Sequence, residues 1–250
     1  MKTLKWITIA GMAYIFSSCE IAQETNIRQD GSGIYSLSFD LSEMIKMNGT
    51  PGQMGFFCRD TLIEFAYYLE EKKDSISKLS KEQQEEMGKL KNYSMQLTAD
   101  TLTHTFKMKI NFKFKKTEDI SEFGTYLKSQ NIRELDLFLK AIPSTGNESK
   151  NILELNKSFN TSFNSKSFSF KITDEAFQMA DAKKKPNLKK DAPDANFLRI
   201  KIRYNFPYKI KNISNSNATL TSDSKGFEIA GNAYDLNHNP RHLDTEITFE

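Results

Sequence analysis

The run from Phe106 to Lys115 constrains the fold more than any other stretch of the chain. Phe106, Met108, Ile110, Phe112 and Phe114 alternate with Lys107, Lys109, Asn111, Lys113 and Lys115. Successive side chains of a strand point to opposite faces, so this stretch predicts a strand with one apolar and one charged face. The same period recurs along the chain. Tyr35, Leu37 and Phe39 alternate with Ser36, Ser38 and Asp40, and Leu198, Ile200, Ile202, Tyr204 and Phe206 alternate with Arg199, Lys201, Arg203 and Asn205. Tyr93-Met95-Leu97, Phe168-Phe170-Ile172 and Leu243-Thr245-Ile247-Phe249 repeat it, with weaker runs at Ala218 to Leu220 and Phe227 to Ile229. One-sided strands of this kind belong to antiparallel sheets covered on one face.

Other segments carry a helical period. Leu62, Phe65, Ala66 and Leu69 fall on one face of a helix, and Thr61 with Glu64 has capping-box spacing. Ser80 with Gln83 has the same spacing and opens a charged, solvated helix over Lys81 to Lys91. Glu118 to Ala141 reads as helix, stopped by Pro143, and Asp174 to Ala180 as a short helix. Asn48 to Gly55 and Asp181 to Asn196 read as loops. The expected fold class is therefore α+β: a mostly antiparallel sheet with helices packed on one face, in two layers.

The N-terminus reads differently. Lys2 and Lys5 precede Ile7 to Phe16, which carries no charge. That run is short of the roughly 20 apolar residues that span a bilayer as a helix, and it fits a signal-peptide core. Phe16-Ser17-Ser18-Cys19 resembles a lipobox, with Phe16 where Leu is commoner. The resemblance implies cleavage before Cys19, diacylglycerol on its sulfur and an acyl chain on its new amino group. Residues 1–18 are then a lipoprotein signal peptide, 19–29 a polar tether, and 30–250 a single α+β domain. Acyl chains stabilise anchoring by about 0.8 kcal/mol per buried CH₂, so no spanning helix is required. The expected location is the cell envelope, anchored by lipid at the outer membrane, with the periplasmic or surface side left open. Glu20 and Glu24 near the lipidated cysteine resemble, loosely, an acidic surface-export tag.

Asp30-Gly31-Ser32-Gly33-Ile34-Tyr35, followed by Asp40-Leu41-Ser42-Glu43-Met44, resembles the opening of a group of uncharacterised Bacteroidetes-type lipoproteins, which is similar to the LppM-like domains. The match is local. It implies an α+β fold and an envelope location, and carries over no catalytic residue. Asp60-Thr61-Leu62, Asp74-Ser75-Ile76 and Asp100-Thr101-Leu102 match the short O-glycosylation pattern of the same bacteria.

The net charge of +3 argues against a nucleic-acid partner, which calls for a strongly basic face. With Cys19 lipidated, Cys58 has no partner for a disulfide and reads as a small buried hydrophobe. His238 and His242 are four apart, but Pro240 between them opposes a regular helix, so no metal site is expected, and no cofactor either. No nucleophile elbow, phosphate loop or zincin motif is present, and no catalytic residue is assigned. What remains is charge. Lys107, Lys109, Lys113 and Lys115 share one side of their run, and Arg199, Lys201 and Arg203 one side of theirs. If the two strands are neighbours, they make a positive patch for an anionic glycan, a lipid headgroup or an envelope protein. The alternative is a set of lysines that keep an exposed sheet soluble, neutralised across strands by Glu246 and Glu250. The sequence favours a lipid-anchored binding or accessory module without catalysis. An envelope hydrolase and a structural subunit of an envelope complex stay open beside it.

Overall fold

The computed structural model describes residues 19–250 apart from 44–45, 47–58, 101, 131, 133–134, 137–138, 140–151 and 197. Residues 1–18, expected as a signal peptide, Cys58, Thr101, residues 48–55, expected as a loop, and most of the 130–141 stretch lie outside the described residues. Among the described residues the elements run β1 (Cys19–Ile27), β2 (Gly33–Asp40), β3 (Arg59–Glu64), α1 (Phe65–Glu71), α2 (Lys73–Ile76), α3 (Lys81–Lys89), β4 (Tyr93–Asp100) and β5 (Thr105–Phe114). Then come α4 (Phe123–Ser129), β6 (Phe159–Phe163), β7 (Ser167–Ile172), α5 (Asp174–Ala182), α6 (Pro193–Asn196) and β8 (Leu198–Asn205). The chain closes with β9 (Ile210–Ile213), β10 (Thr219–Leu220), β11 (Gly226–Asn232), α7 (Ala233–His238) and β12 (Thr245–Phe249). Short 3₁₀ turns at Leu90–Asn92, Thr117–Glu122 and Ile152–Ser158 link them.

Eight strands form one sheet in the order β10-β11-β8-β1-β2-β5-β4-β3, and β6-β7-β12-β9 form a second. Every pair is antiparallel except β1 with β8. A parallel pair needs a long crossover, and here it takes most of the chain. The α+β class holds, and the cover of the apolar face differs from helices alone. Phe123 of α4 packs edge-on to Tyr35 at 4.9 Å and stacks on Tyr93 at 5.7 Å. Over β8 and β11 the second sheet takes over, with Phe168 4.6 Å from Tyr204 and 6.2 Å from Phe227. Aromatic rings buried in this way contribute about 1.5–3 kcal/mol each. The buried residues of both sheets belong to one apolar cluster.

Two expectations are corrected. Residues 19–29 are not a tether over 19–27: β1 is an inner strand of the large sheet, paired along its length with β2 and β8. Its inward residues are Cys19, Ile21, Gln23, Thr25 and Ile27. Gln23 and Thr25 are polar, and they break the apolar alternation that reveals a strand. The helix expected from Leu62 begins later. Thr61 and Ile63 pair with Leu97 and Met95 of β4, where β-branched residues suit a strand. Helix α1 starts at Phe65, and its N-cap Glu64 makes no side-chain capping bond. The second capping box forms as read, Ser80 with Gln83 at the head of α3. The Asp30 turn is also built as its residues dictate. Gly31 takes φ 80°, open to glycine, and the Asp30 carboxylate accepts from the Ser32 N–H at 3.0 Å and hydroxyl at 2.7 Å.

Candidate functional site

The outward face of the large sheet carries polar side chains in cross-strand rows. One row runs Glu228, Arg203, Glu24, Ser36, Asn111, Ser94, Glu64 from β11 to β3. A second runs Lys201, Ala22, Ser38, Lys109, Gln96, and a third Arg199, Glu20, Asp40, Lys107, Thr98.

These rows settle where the expected basic residues stand. The two basic strands are not neighbours, because β1 and β2 lie between β8 and β5 and place Glu20, Glu24 and Asp40 on the same face. Lys107 pairs with Asp40 at 2.9 Å, and Lys201 with Glu20 at 3.1 Å. Arg203 is clamped on Glu228, its Nε donating at 3.1 Å. Partial burial acts to raise the Asp40 pKa, but hydrogen bonds from Ser42 and Lys107 outweigh it and hold the carboxyl below its ordinary value. Lys115 lies past the last residue of β5, in a bend. Arg199 is exposed at the far side of β8. Glu246 does not neutralise this face either, since β12 belongs to the other sheet and Glu246 pairs with Lys171 at 2.6 Å.

What remains is a groove around Lys109 and Lys113, both exposed and, among the described residues, outside every ion pair. The groove has a volume of about 410 Å³ and is lined by these two lysines, Lys91, Glu24, Glu64 and the floor of the first row. The floor is hydrogen-bonded across strands: the Ser36 hydroxyl donates to Asn111 Oδ1 at 2.7 Å, and Asn111 Nδ2 donates to Ser94 Oγ at 3.2 Å. Lys91 and Asn92 arrive from the 3₁₀ turn after α3, and Ala66 from the start of α1. A second depression of about 550 Å³ adjoins it through Asn92, Tyr93 and Lys113. Its lining includes the half-buried Tyr126 ring, 5.5 Å from Tyr93, which stacks on Phe112 at 4.7 Å; Tyr93 and Phe112 are themselves buried on the inner face of the sheet. Burial, followed by the nearby Glu86, pushes Tyr126 up to about 12; burial likewise raises Tyr93, with Tyr126 and Glu122 adding to it. Both stay neutral phenols at physiological pH. Lys89 sits 5.8 Å over the Tyr126 ring.

Comparison with known proteins adds little to this geometry. No family model matches the chain, and no curated protein sequence matches it. Among solved structures, it is similar to the folded domain of the Mycobacterium tuberculosis LppM protein, determined by NMR. The match is at 3% identity and TM-score 0.39, over 93% of this chain and 89% of that one.

The remaining candidates are placed as follows. His238 stacks on Tyr234 at 4.4 Å within α7, and the His242 ring hydrogen-bonds the Ala230 carbonyl at 3.0 Å. Among the described residues no three His, Cys, Asp or Glu side chains converge. No described helix is long and apolar enough to cross a membrane. Sequence reasoning missed Lys91, Asn92, Tyr126 and the Ser36-Asn111-Ser94 floor. The floor residues stand on polar strand faces visible in the sequence, but only the strand order brings them together.

Proposed function

We propose that this chain is a lipid-anchored protein of the cell envelope, held at the outer membrane through Cys19, that works by binding an acidic glycan in the Lys91-Lys109-Lys113 groove. The anchor rests on the leader sequence and its lipobox-like end. The binding role rests on one observation: two exposed lysines without carboxylate partners flank a pre-formed row of hydroxyl and amide groups, with the half-buried Tyr126 ring in the adjoining depression. Lysine ammoniums attract a carboxylate or sulfate, the row offers hydrogen bonds to hydroxyls, and an aromatic face accepts an apolar sugar face.

Binding is favoured over hydrolysis in this groove by distance. The backbones of Glu24 and Glu64 stand four strand steps apart on the row, about 19 Å at about 4.8 Å per step, with both side chains lining the groove from opposite ends. Paired glycosidase carboxylates stand about 5–9.5 Å apart.

The test is a binding assay of the full chain on immobilised polygalacturonate across a salt series. Lys109→Glu with Lys113→Glu is expected to weaken binding at least tenfold, while Arg199→Glu leaves it within twofold. Rising salt weakens the wild-type chain, because exposed charges are screened. Equal binding by the wild-type and doubly reversed chains would overturn the assignment, as would a preference for anionic lipid vesicles or for another envelope protein. The anchor is checked separately: Cys19→Ala is expected to leave the membrane fraction, and retention there counts against lipidation.

A further inference from the structure

The inner face of β1 holds a second feature, separate from the groove. Gln23 is 3% exposed and Thr25 1%, and the Gln23 Nε2 has no hydrogen-bond partner among the described residues. Both lie in the middle of the large sheet, where Gln23 is flanked in register by Leu37 of β2 and Ile202 of β8. Apolar residues occupy the inward positions on either side.

Gln23 lines a cavity of about 180 Å³ between the two sheets. Around it stand Tyr35, Tyr204, Asn156 and Thr161, with Phe159 and Phe170 as a wall. Phe159 and Phe170 are stacked at 4.4 Å, and Phe170 lies 5.6 Å from Tyr204. Asn156 is fixed by donating to the Ile120 carbonyl, and its Oδ1 accepts a long bond of 3.5 Å from the Tyr35 hydroxyl. Exposed Glu118, Ser121 and Asn160 mark the way in, between the Thr117–Glu122 turn and β6.

A sheet centre is where apolar packing stabilises most, and paired polar groups there can be replaced by apolar ones at little or no loss of stability. Departures from local consistency concentrate at functional sites. An unpartnered amide, neighbouring hydroxyls and a stacked aromatic wall together make such a departure. We propose that this cavity is a binding site for a small neutral polyol or a single sugar ring, with its hydroxyls on Gln23, Asn156 and Tyr204 and its apolar edge against Phe159 and Phe170.

The size suits that class, since a cavity of about 150 Å³ admits a six-membered ring such as benzene. The charge suits it too. The deep lining carries no lysine, arginine or carboxylate, so neither an anion nor a cation finds a counter-charge, and Glu118 stands only at the entrance. Burial raises Tyr35 far above the ordinary tyrosine value, with Tyr204 adding to it, and burial pushes Tyr204 up to about 12 against the opposing bonds from Thr161 and Thr25. Both therefore present neutral O–H groups at physiological pH.

Saturation-transfer NMR on the full chain in detergent tests this, with glycerol, myo-inositol, glucose and N-acetylglucosamine as neutral probes and glucuronate and glucosamine as charged ones. At least one neutral probe is expected to bind saturably, with the charged probes at least tenfold weaker. Gln23→Leu and Tyr204→Phe are each expected to weaken it at least tenfold, while Lys109→Glu with Lys113→Glu leaves it unchanged. Gln23→Leu is also expected to keep or raise the melting temperature. Should that variant not fold, Tyr204→Phe keeps the ring and removes only the hydroxyl. The proposal fails if no neutral probe binds the wild-type chain, or if binding survives Tyr204→Phe within twofold. It fails equally if long-lived water at the Gln23 amide is seen and no probe displaces it.

Discussion

Gly124 sits where α4 meets the Ile152–Ser158 turn, and a Cβ there would lie 2.0 Å from the Leu153 carbonyl oxygen. Backbone cannot yield as a flexible side chain does. Gly124→Ala is expected to destabilise by about 1–3 kcal/mol through overpacking, outweighing the gain of about 1 kcal/mol in helix propensity. A shift of the urea midpoint at unchanged slope checks it. The neighbouring Glu154 makes a pH prediction. Its hydrogen bond from Lys128 holds the carboxyl below the ordinary 4.5, with partial burial opposing and Lys157 adding to the effect. A carboxyl depressed in the folded state stabilises above its unfolded pKa, and that stability is lost as pH falls through the folded value. Stability of the wild-type chain should therefore fall as pH drops below about 4.5, and Glu154→Gln should flatten that limb, read by thermal melts between neutral and acid pH. Neither residue was legible in advance, because Gly124 and Glu154 acquire meaning only from a contact across the 130–151 stretch. The Asp30-Gly31 turn was legible, because its constraint is local to four residues.

At the scale of elements, the sequence revealed strands wherever one face was uniformly apolar, as in β5 and β8, and concealed them elsewhere. β1 was concealed by Gln23, which lines the inner cavity, and by its neighbour Thr25. β3 was concealed because Leu62, Phe65, Ala66 and Leu69 mimic a helical stripe across a strand-to-helix junction. The pairing of strands was not readable at all: the two basic strands carry the same signal whether adjacent or separated by β1 and β2. The assignment of β1 has a direct test. A chain beginning at Asp30 folds if residues 19–29 are only a tether. With β1 an inner strand, that chain is expected to lose its cooperative thermal transition and its NMR dispersion. β3 makes a contrasting case, as an edge strand exposing Leu62 at 64%. Exposed apolar edges invite pairing with other chains. Leu62→Lys is expected to change stability by less than about 0.5 kcal/mol and to reduce self-association seen by light scattering at high concentration.

For the whole molecule, the proposed anchor and the sheet impose an orientation. Cys19 is the first residue of β1, so a lipid on it would leave the domain little slack once its side chain, which faces the core, turns out of it. The sheet then stands on the bilayer by the end that holds Cys19, Leu41 and the β4–β5 turn. Leu102 lies in that turn and is 91% exposed, an apolar side chain at the same end of the sheet as Cys19. From Cys19 to Ile27 the strand rises about 26 Å at about 3.3 Å per residue. Lys109 stands at the Ala22 level and Lys113 at the Asn26 level, roughly 10 and 23 Å along the strand by the same rise. Those are just over one and nearly three Debye lengths of about 8 Å at physiological salt. The host bilayer's own charge would therefore be largely screened at Lys113 and only partly at Lys109, so the far end of the groove favours a ligand approaching from the envelope space. Polarity-sensitive fluorophores on Leu102→Cys and, separately, on Ser32→Cys in the β1–β2 turn measure this in vesicles. The Leu102 site is expected to shift to the blue and be quenched by lipid-borne quenchers, and the Ser32 site to behave as in water. Equal responses at the two sites would mean that the sheet lies flat on the membrane, and would return the lipid headgroup to consideration as the ligand of the groove.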